Sequence, residues 1–199
     1  MLEFFILWML EMSETKESFL HFSYPLDRPL VLVGMMGSGK SSIGRRLARI
    51  YSVPFVDADT EIEKAGGADI CYLFKKYGEQ DFRRIEERIM TRLLNGKVCI
   101  LASGGGAFLS QTTRTNVKEK AVSVFLDAHV DTIIRNTKGR THRPLLNVEN
   151  PQDVILTLLE KRRSFYEEAD LHVKYKEEKM GQVLKMLVRE INHFAQGRE

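Results

Sequence analysis

The stretch Gly34-Met35-Met36-Gly37-Ser38-Gly39-Lys40-Ser41 carries the residue types that hold a polyphosphate, in the spacing G-x-x-x-x-G-K-[ST]. A chain can aim several backbone N–H groups at one anion only where it curls tightly, and Gly37 and Gly39 permit that curl. A helix starting just after the loop adds its unpaired N–H groups and positive dipole end. In such a cradle Lys40 bridges the β- and γ-phosphates of ATP and Ser41 offers its hydroxyl to Mg²⁺, with Ser38 and Ser42 beside them. Kinases, GTPases, ATPases and nucleotide-binding regulators all use this motif. Alone it implies nucleotide binding and nothing narrower.

Asp57-Ala58-Asp59 ends the next apolar run. Carboxylates at the C-terminal end of a strand lie in the crevice where open α/β sheets bind ligands. One, Asp57, can join the Mg²⁺ shell, while Asp59 accepts hydrogen bonds from an acceptor hydroxyl. The plainer alternative is that Asp59 or Thr60 caps a helix starting at Glu61. Arg83 and Glu86 share a helix face, so the carboxylate can orient the guanidinium toward a ligand carboxylate. On spacing alone the favoured reading is a surface ion pair, on a charged helix that also carries Arg84, Glu87 and Arg88. Gly104-Gly105-Gly106 either lets backbone N–H groups approach a ligand or forms a flexible turn. Arg162 sits between Lys161 and Arg163, where a solvated basic face is the alternative to a ligand contact. Arg143 precedes Pro144 in a basic loop, and a cation arriving on loop closure can stabilise a transferring phosphoryl group.

These residues need a scaffold, and the hydrophobic pattern supplies one. Short apolar runs at Leu30–Val33, Pro54–Val56, Val98–Ala102, Ala121–Leu126 and Leu171–Tyr175 predict five strands. Helical patterns cover Ser41–Tyr51, Ile70–Leu94, Pro151–Ala169 and Lys179–Phe194. The alternation predicts an α/β domain over residues 29–199, a five-stranded, mostly parallel sheet with helices on both faces. Residues 138–150, rich in Lys, Arg, His and Asn, are the expected lid.

The 199 residues suit one domain, and 43% hydrophobic with 29% charged residues is the balance of a folded chain. A net charge of +3 gives no ground for a nucleic-acid partner. Cys71 and Cys99 have neither C-x-x-C spacing nor a His partner and read as small buried side chains in a reducing compartment. The apolar opening MLEFFILWML lacks a basic flank and is too short to span a bilayer. Residues 1–28 therefore read as an extension, either a helix packed on the domain or a leader, with no function assigned. The expectation is a cytoplasmic monomer without membrane partners.

Taken together, Gly34–Ser41, Asp57-Ala58-Asp59, Phe82-Arg83-Arg84-Ile85-Glu86-Glu87, Ser103-Gly104-Gly105-Gly106, Arg143-Pro144-Leu145-Leu146 and Lys161-Arg162 resemble the shikimate kinases in order and spacing. The resemblance runs from Leu30 to Val173 and implies a P-loop NTPase fold that phosphorylates shikimate from ATP. It implies that Arg83, oriented by Glu86, and Arg162 bind the substrate carboxylate, and that Gly104–Gly106 line the shikimate site. It makes Arg143 the lid residue that reaches the phosphates, and favours Arg162 over Arg163 through the spacing to Phe165-Tyr166. Lys40, Asp59 and Arg143 would then carry the catalysis, with Ser41 and Asp57 on the metal. One position departs. Where many members carry an adenine-stacking arginine this chain has Asn136, which can hydrogen-bond but offers no cationic plane. Arg135 or Arg140 could take that place. A kinase of the same fold acting on gluconate, or a silent nucleotide-binding relative, are the rival readings.

Overall fold

A computed structural model describes residues 25–138 and 150–197. Most of the N-terminal extension and the lid, with Arg140 and Arg143, lie outside the described residues. The strands are β1 (Leu30–Val33), β2 (Phe55–Asp57), β3 (Ile100–Ala102), β4 (Val122–Ala128) and β5 (Leu171–Tyr175). They form one parallel sheet in the order β2-β3-β1-β4-β5. Every residue of β1 is fully buried. Successive strand side chains point to opposite faces, so an unbroken buried run means that both faces of the sheet are covered. At the edge, β5 buries Leu171, Val173 and Tyr175 while His172 and Lys174 face out.

The helices are α1 (Lys40–Ile50), α2 (Ala58–Gly66), α3 (Ile70–Leu94), α4 (Gln111–Lys120), α5 (Val130–Thr137), α6 (Pro151–Tyr166) and α7 (Met180–Gln196). Pattern reading misses α4 and α5. In α4, QTTRTNVKEK, only Thr113 and Val117 are buried, so no apolar stripe marks it. It starts instead on a cap, Ser110 Oγ accepting from Thr113 N at 3.1 Å. The start of α2 is also earlier than the sequence suggests. Asp57, not Asp59 or Thr60, is its N-cap, accepting from Asp59 N at 3.1 Å.

The expected single helix Ile70–Leu94 is broken at Gly78, whose φ of 73° and ψ of 172° no helix contains. Beyond the main core, Ile62, Leu73, Phe82 and Ile89 make a smaller cluster that ties α2 to α3. Among the described residues no helix is long and apolar enough to cross a membrane.

Candidate active site

The loop between β1 and α1 is held in the conformation its glycines allow. Gly34, Gly37 and Gly39 all have positive φ, at 137°, 82° and 92°, and Gly39 is the N-cap of α1. The Lys40 ammonium folds back over the loop, donating to the carbonyls of Gly34 at 2.8 Å and Met35 at 3.0 Å. From outside the loop, Asn136 Nδ2 donates to the Gly37 carbonyl at 2.8 Å, and the Tyr175 hydroxyl donates to the Ser38 carbonyl. Gly37, Gly39, Lys40, Ser41, Ser42 and Asn136 line a cavity of about 220 Å³.

At the mouth of that cavity Ser41 Oγ donates to Asp57 Oδ2 at 2.6 Å. Strand β2 delivers Asp57 and the first turn of α2 delivers Asp59, so the two carboxylates stand on a strand–helix junction. Asp57 therefore caps the helix and faces Ser41 as well. Two hard oxygen donors, a hydroxyl and a carboxylate, make a pair suited to a small divalent cation.

A second cavity, about 380 Å³, opens on the other side of this junction. Ser41, Asp57, Asp59 and Gly105 line both cavities, which makes the carboxylates a shared wall. The far side carries the arginines. Arg83 pairs with Glu86 at 2.7 Å and with Glu79 at 3.3 Å, and its buried Nε has no hydrogen-bond partner among the described residues. Glu86 is only 2% exposed, so Arg83–Glu86 is no surface ion pair. Burial pushes the Glu86 carboxyl above its ordinary value, against the pull of Arg83; Asp59 adds to the rise and Arg162 opposes it. Arg162 is buried at the edge of the same cavity and donates to the Gly105 carbonyl at 3.2 Å. Its neighbour Arg163 points elsewhere, paired with Asp127 at 2.7 Å and Glu167 at 2.8 Å.

The structure adds a packing reason for the triple glycine to the ligand approach its sequence suggests. None of the three has positive φ. What they provide is room: a Cβ on Gly104 would stand 2.2 Å from Glu86 Oε1 and 2.9 Å from Asp59 Oδ1. On Gly106 it would stand 2.1 Å from an Arg83 nitrogen. The glycines let the arginine–glutamate pair lie flat against the end of β3.

With this geometry in hand, the family model described as shikimate kinase matches residues 36–192. The chain belongs to the shikimate kinase family. A shikimate kinase of Rhodopseudomonas palustris is 48% identical over 147 residues, 74% of this chain and 72% of the relative. Among solved structures, a shikimate kinase from Acinetobacter baumannii in complex with shikimate superimposes with a TM-score of 0.79. It is 32% identical, and the match covers 91% of this chain and 98% of that one. A gluconokinase from Sinorhizobium meliloti, at 18% identity and a TM-score of 0.57, shares the fold alone.

The shikimate kinase motifs thus converge on two adjoining cavities, except the lid motif, which lies outside the described residues. Arg135 is exposed and lines neither cavity, whereas Asn136 reaches the phosphate loop. Several residues at or behind these walls gain a role that sequence reasoning did not give them. Tyr166, one helical turn after Arg162 and 1% exposed, donates to the same Gly105 carbonyl at 2.5 Å. The i, i+4 spacing was the available signal. Ile70, Cys71 and Phe74 wall the larger cavity from α3, and Cys71 is half-buried there rather than an interior residue like Cys99. No motif announces them.

Proposed function

We propose that this chain is a working shikimate kinase, which transfers the γ-phosphoryl of ATP to the 3-hydroxyl of shikimate and releases ADP. The observation that carries the reading is the shared wall: a phosphate cradle and an anion-binding cavity meet at Asp57 and Asp59. A phosphoryl group leaving one cavity enters the other at those carboxylates. Arg83 and Arg162, which both line the larger cavity, suit the carboxylate of the acceptor. Glu86 holds the Arg83 guanidinium in register, Gly104 and Gly106 leave room for that pair, and Gly105 and Gly106 line the cavity that takes the ring.

The acceptor hydroxyl oxygen forms the new bond to the γ-phosphorus as the bond to the β,γ-bridging oxygen breaks. Asp59 accepts hydrogen bonds from the acceptor hydroxyls and takes the proton of the attacking one. Lys40 and Arg143 stabilise the charge on the transferring group, and Gly37, Ser38, Gly39 and Ser42 complete the cradle. Ser41 and Asp57 fit Mg²⁺, which when bound neutralises charge on the β- and γ-phosphates. Positioning and electrostatics supply most of the acceleration, because phosphoryl transfer asks for little covalent help. The chain acts as a cytoplasmic monomer, with the domain over residues 29–199 and a lid over 138–150.

ADP release measured in parallel with shikimate and gluconate tests the reading. Shikimate should support turnover and gluconate should not; equal rates, or shikimate binding without ADP, would sink it. Arg83→Ala should raise KM for shikimate about tenfold or more, with KM for ATP little changed, as expected for a lost charge-assisted contact. Asp59→Asn should depress kcat, and nearly full turnover would remove Asp59 as the base.

A further inference from the structure

Two side chains from outside the phosphate loop grip its backbone, and one of them, Asn136, also lines the phosphate cavity. Asn136, on α5, donates to the carbonyl of Gly37, and Tyr175, at the end of β5, donates to the carbonyl of Ser38. These are consecutive carbonyls, held from two separate elements. In a trans peptide the C=O and the following N–H point in opposite directions, and the described chain has no cis bond. Holding the Gly37 carbonyl therefore fixes the Ser38 N–H, which donates to the Met35 carbonyl at 3.1 Å and closes the loop. Holding the Ser38 carbonyl turns the Gly39 N–H away from Tyr175, and Gly39 lines the phosphate cavity.

Glycine-flanked peptide units rotate readily, since glycine accepts either sign of φ at similar cost. A flip of the Ser38–Gly39 peptide would replace a donor with a carbonyl dipole facing the phosphates, and a flip of the Gly37–Ser38 peptide would break the loop-closing bond to Met35. Lys40 holds the carbonyls of Gly34 and Met35, so with these two grips four of the loop's carbonyls are engaged by side chains. The packing that brings Asn136 within reach is tight: a Cβ on Gly37 would stand 2.7 Å from Thr137 Cγ2 and 2.9 Å from the Ile133 carbonyl. Burial raises the Tyr175 phenol above its ordinary value, which keeps it a donor.

We infer that Asn136 and Tyr175 are positioning residues for the polyphosphate: the first locks the peptide whose N–H closes the loop on Met35, and the second locks the peptide that turns the Gly39 N–H to the anion. The inference rests on the nucleotide-binding half of the proposed function and is independent of the acceptor. It assigns Asn136 to the phosphates, not to the base.

Calorimetric titration of the full chain with ATP, inorganic tripolyphosphate and adenosine tests it, using Asn136→Leu, Tyr175→Phe and the double variant. Losing one uncharged hydrogen bond from each grip should weaken ATP and tripolyphosphate by the same factor, about fivefold per single variant. Adenosine binding and KM for shikimate should stay within about twofold. If ATP weakens while tripolyphosphate does not, Asn136 contacts the base and the inference fails. Unchanged affinities, or a fall in Tm and kcat with affinity intact, overturn it equally, because a merely structural role predicts those. Should Asn136→Leu not fold, Tyr175→Phe, which removes a single oxygen, decides alone. No shikimate is present in the titrations, so an error in the acceptor cannot produce any of these results.

Discussion

Glu86 concentrates the residue-scale chemistry of the acceptor cavity. It is buried between Arg83 and Asp59, and burial raises its pKa above the ordinary 4.5. A carboxyl raised in the folded state ionises more easily in the unfolded chain. Its contribution to stability is therefore full below pH 4.5 and is lost as pH rises through the raised folded value. Unfolding free energies of the native chain and Glu86→Gln, compared by denaturant titration from pH 4 upward, should show the difference moving against the native chain as pH rises. A difference that moves the other way would mean that Arg83 overcomes the burial. The glutamine should also loosen Arg83, raising KM for shikimate while leaving KM for ATP alone.

At the scale of elements, the sequence reading succeeded where a residue's neighbours in the chain are also its neighbours in space. The phosphate loop is such a case: Leu30–Val33, the glycines and the start of α1 are contiguous, and the cradle follows from them. It failed where the partner comes from far along the chain. Nothing near Gly104 in sequence says that Glu86 and Asp59 press on it, so the packing reason for these glycines was not legible. Nothing near Gly37 announces Asn136 or Tyr175. Helix α4 escaped for another reason, since it is held by its Ser110 cap and the contact of Ser110 with Glu87 rather than by an apolar stripe. Gly104→Ala tests the packing account. A methyl 2.2 Å from Glu86 must displace a buried carboxylate, so the variant should lose about 1–3 kcal/mol of stability by denaturant titration. It should raise KM for shikimate as well. Unchanged stability would show that Glu86 can move aside at little cost.

For the whole molecule, two cavities on one sheet mean that ligands should stabilise the fold separately. A ligand at about a hundred times its Kd stabilises the folded state by about 2.7 kcal/mol. In a chain of this size that raises Tm by several degrees, at about 2–4 °C per kcal/mol. Thermal unfolding with ATP and with shikimate should each show such a shift. Arg83→Ala should abolish the shikimate shift and keep the ATP one, whereas loss of both would mean that the arginine supports the fold at large. The break at Gly78 bears on how this cavity can be altered. Ile70, Cys71 and Phe74 come before the break, Arg83 and Glu86 after it, and the space around the Gly78 Cβ position is open. On the proposed function, the acceptor would be gauged for bulk by one short rod and for charge by another, joined at a break. Whoever wishes to retool this enzyme for a larger or smaller acid can reshape the first rod and leave the second alone.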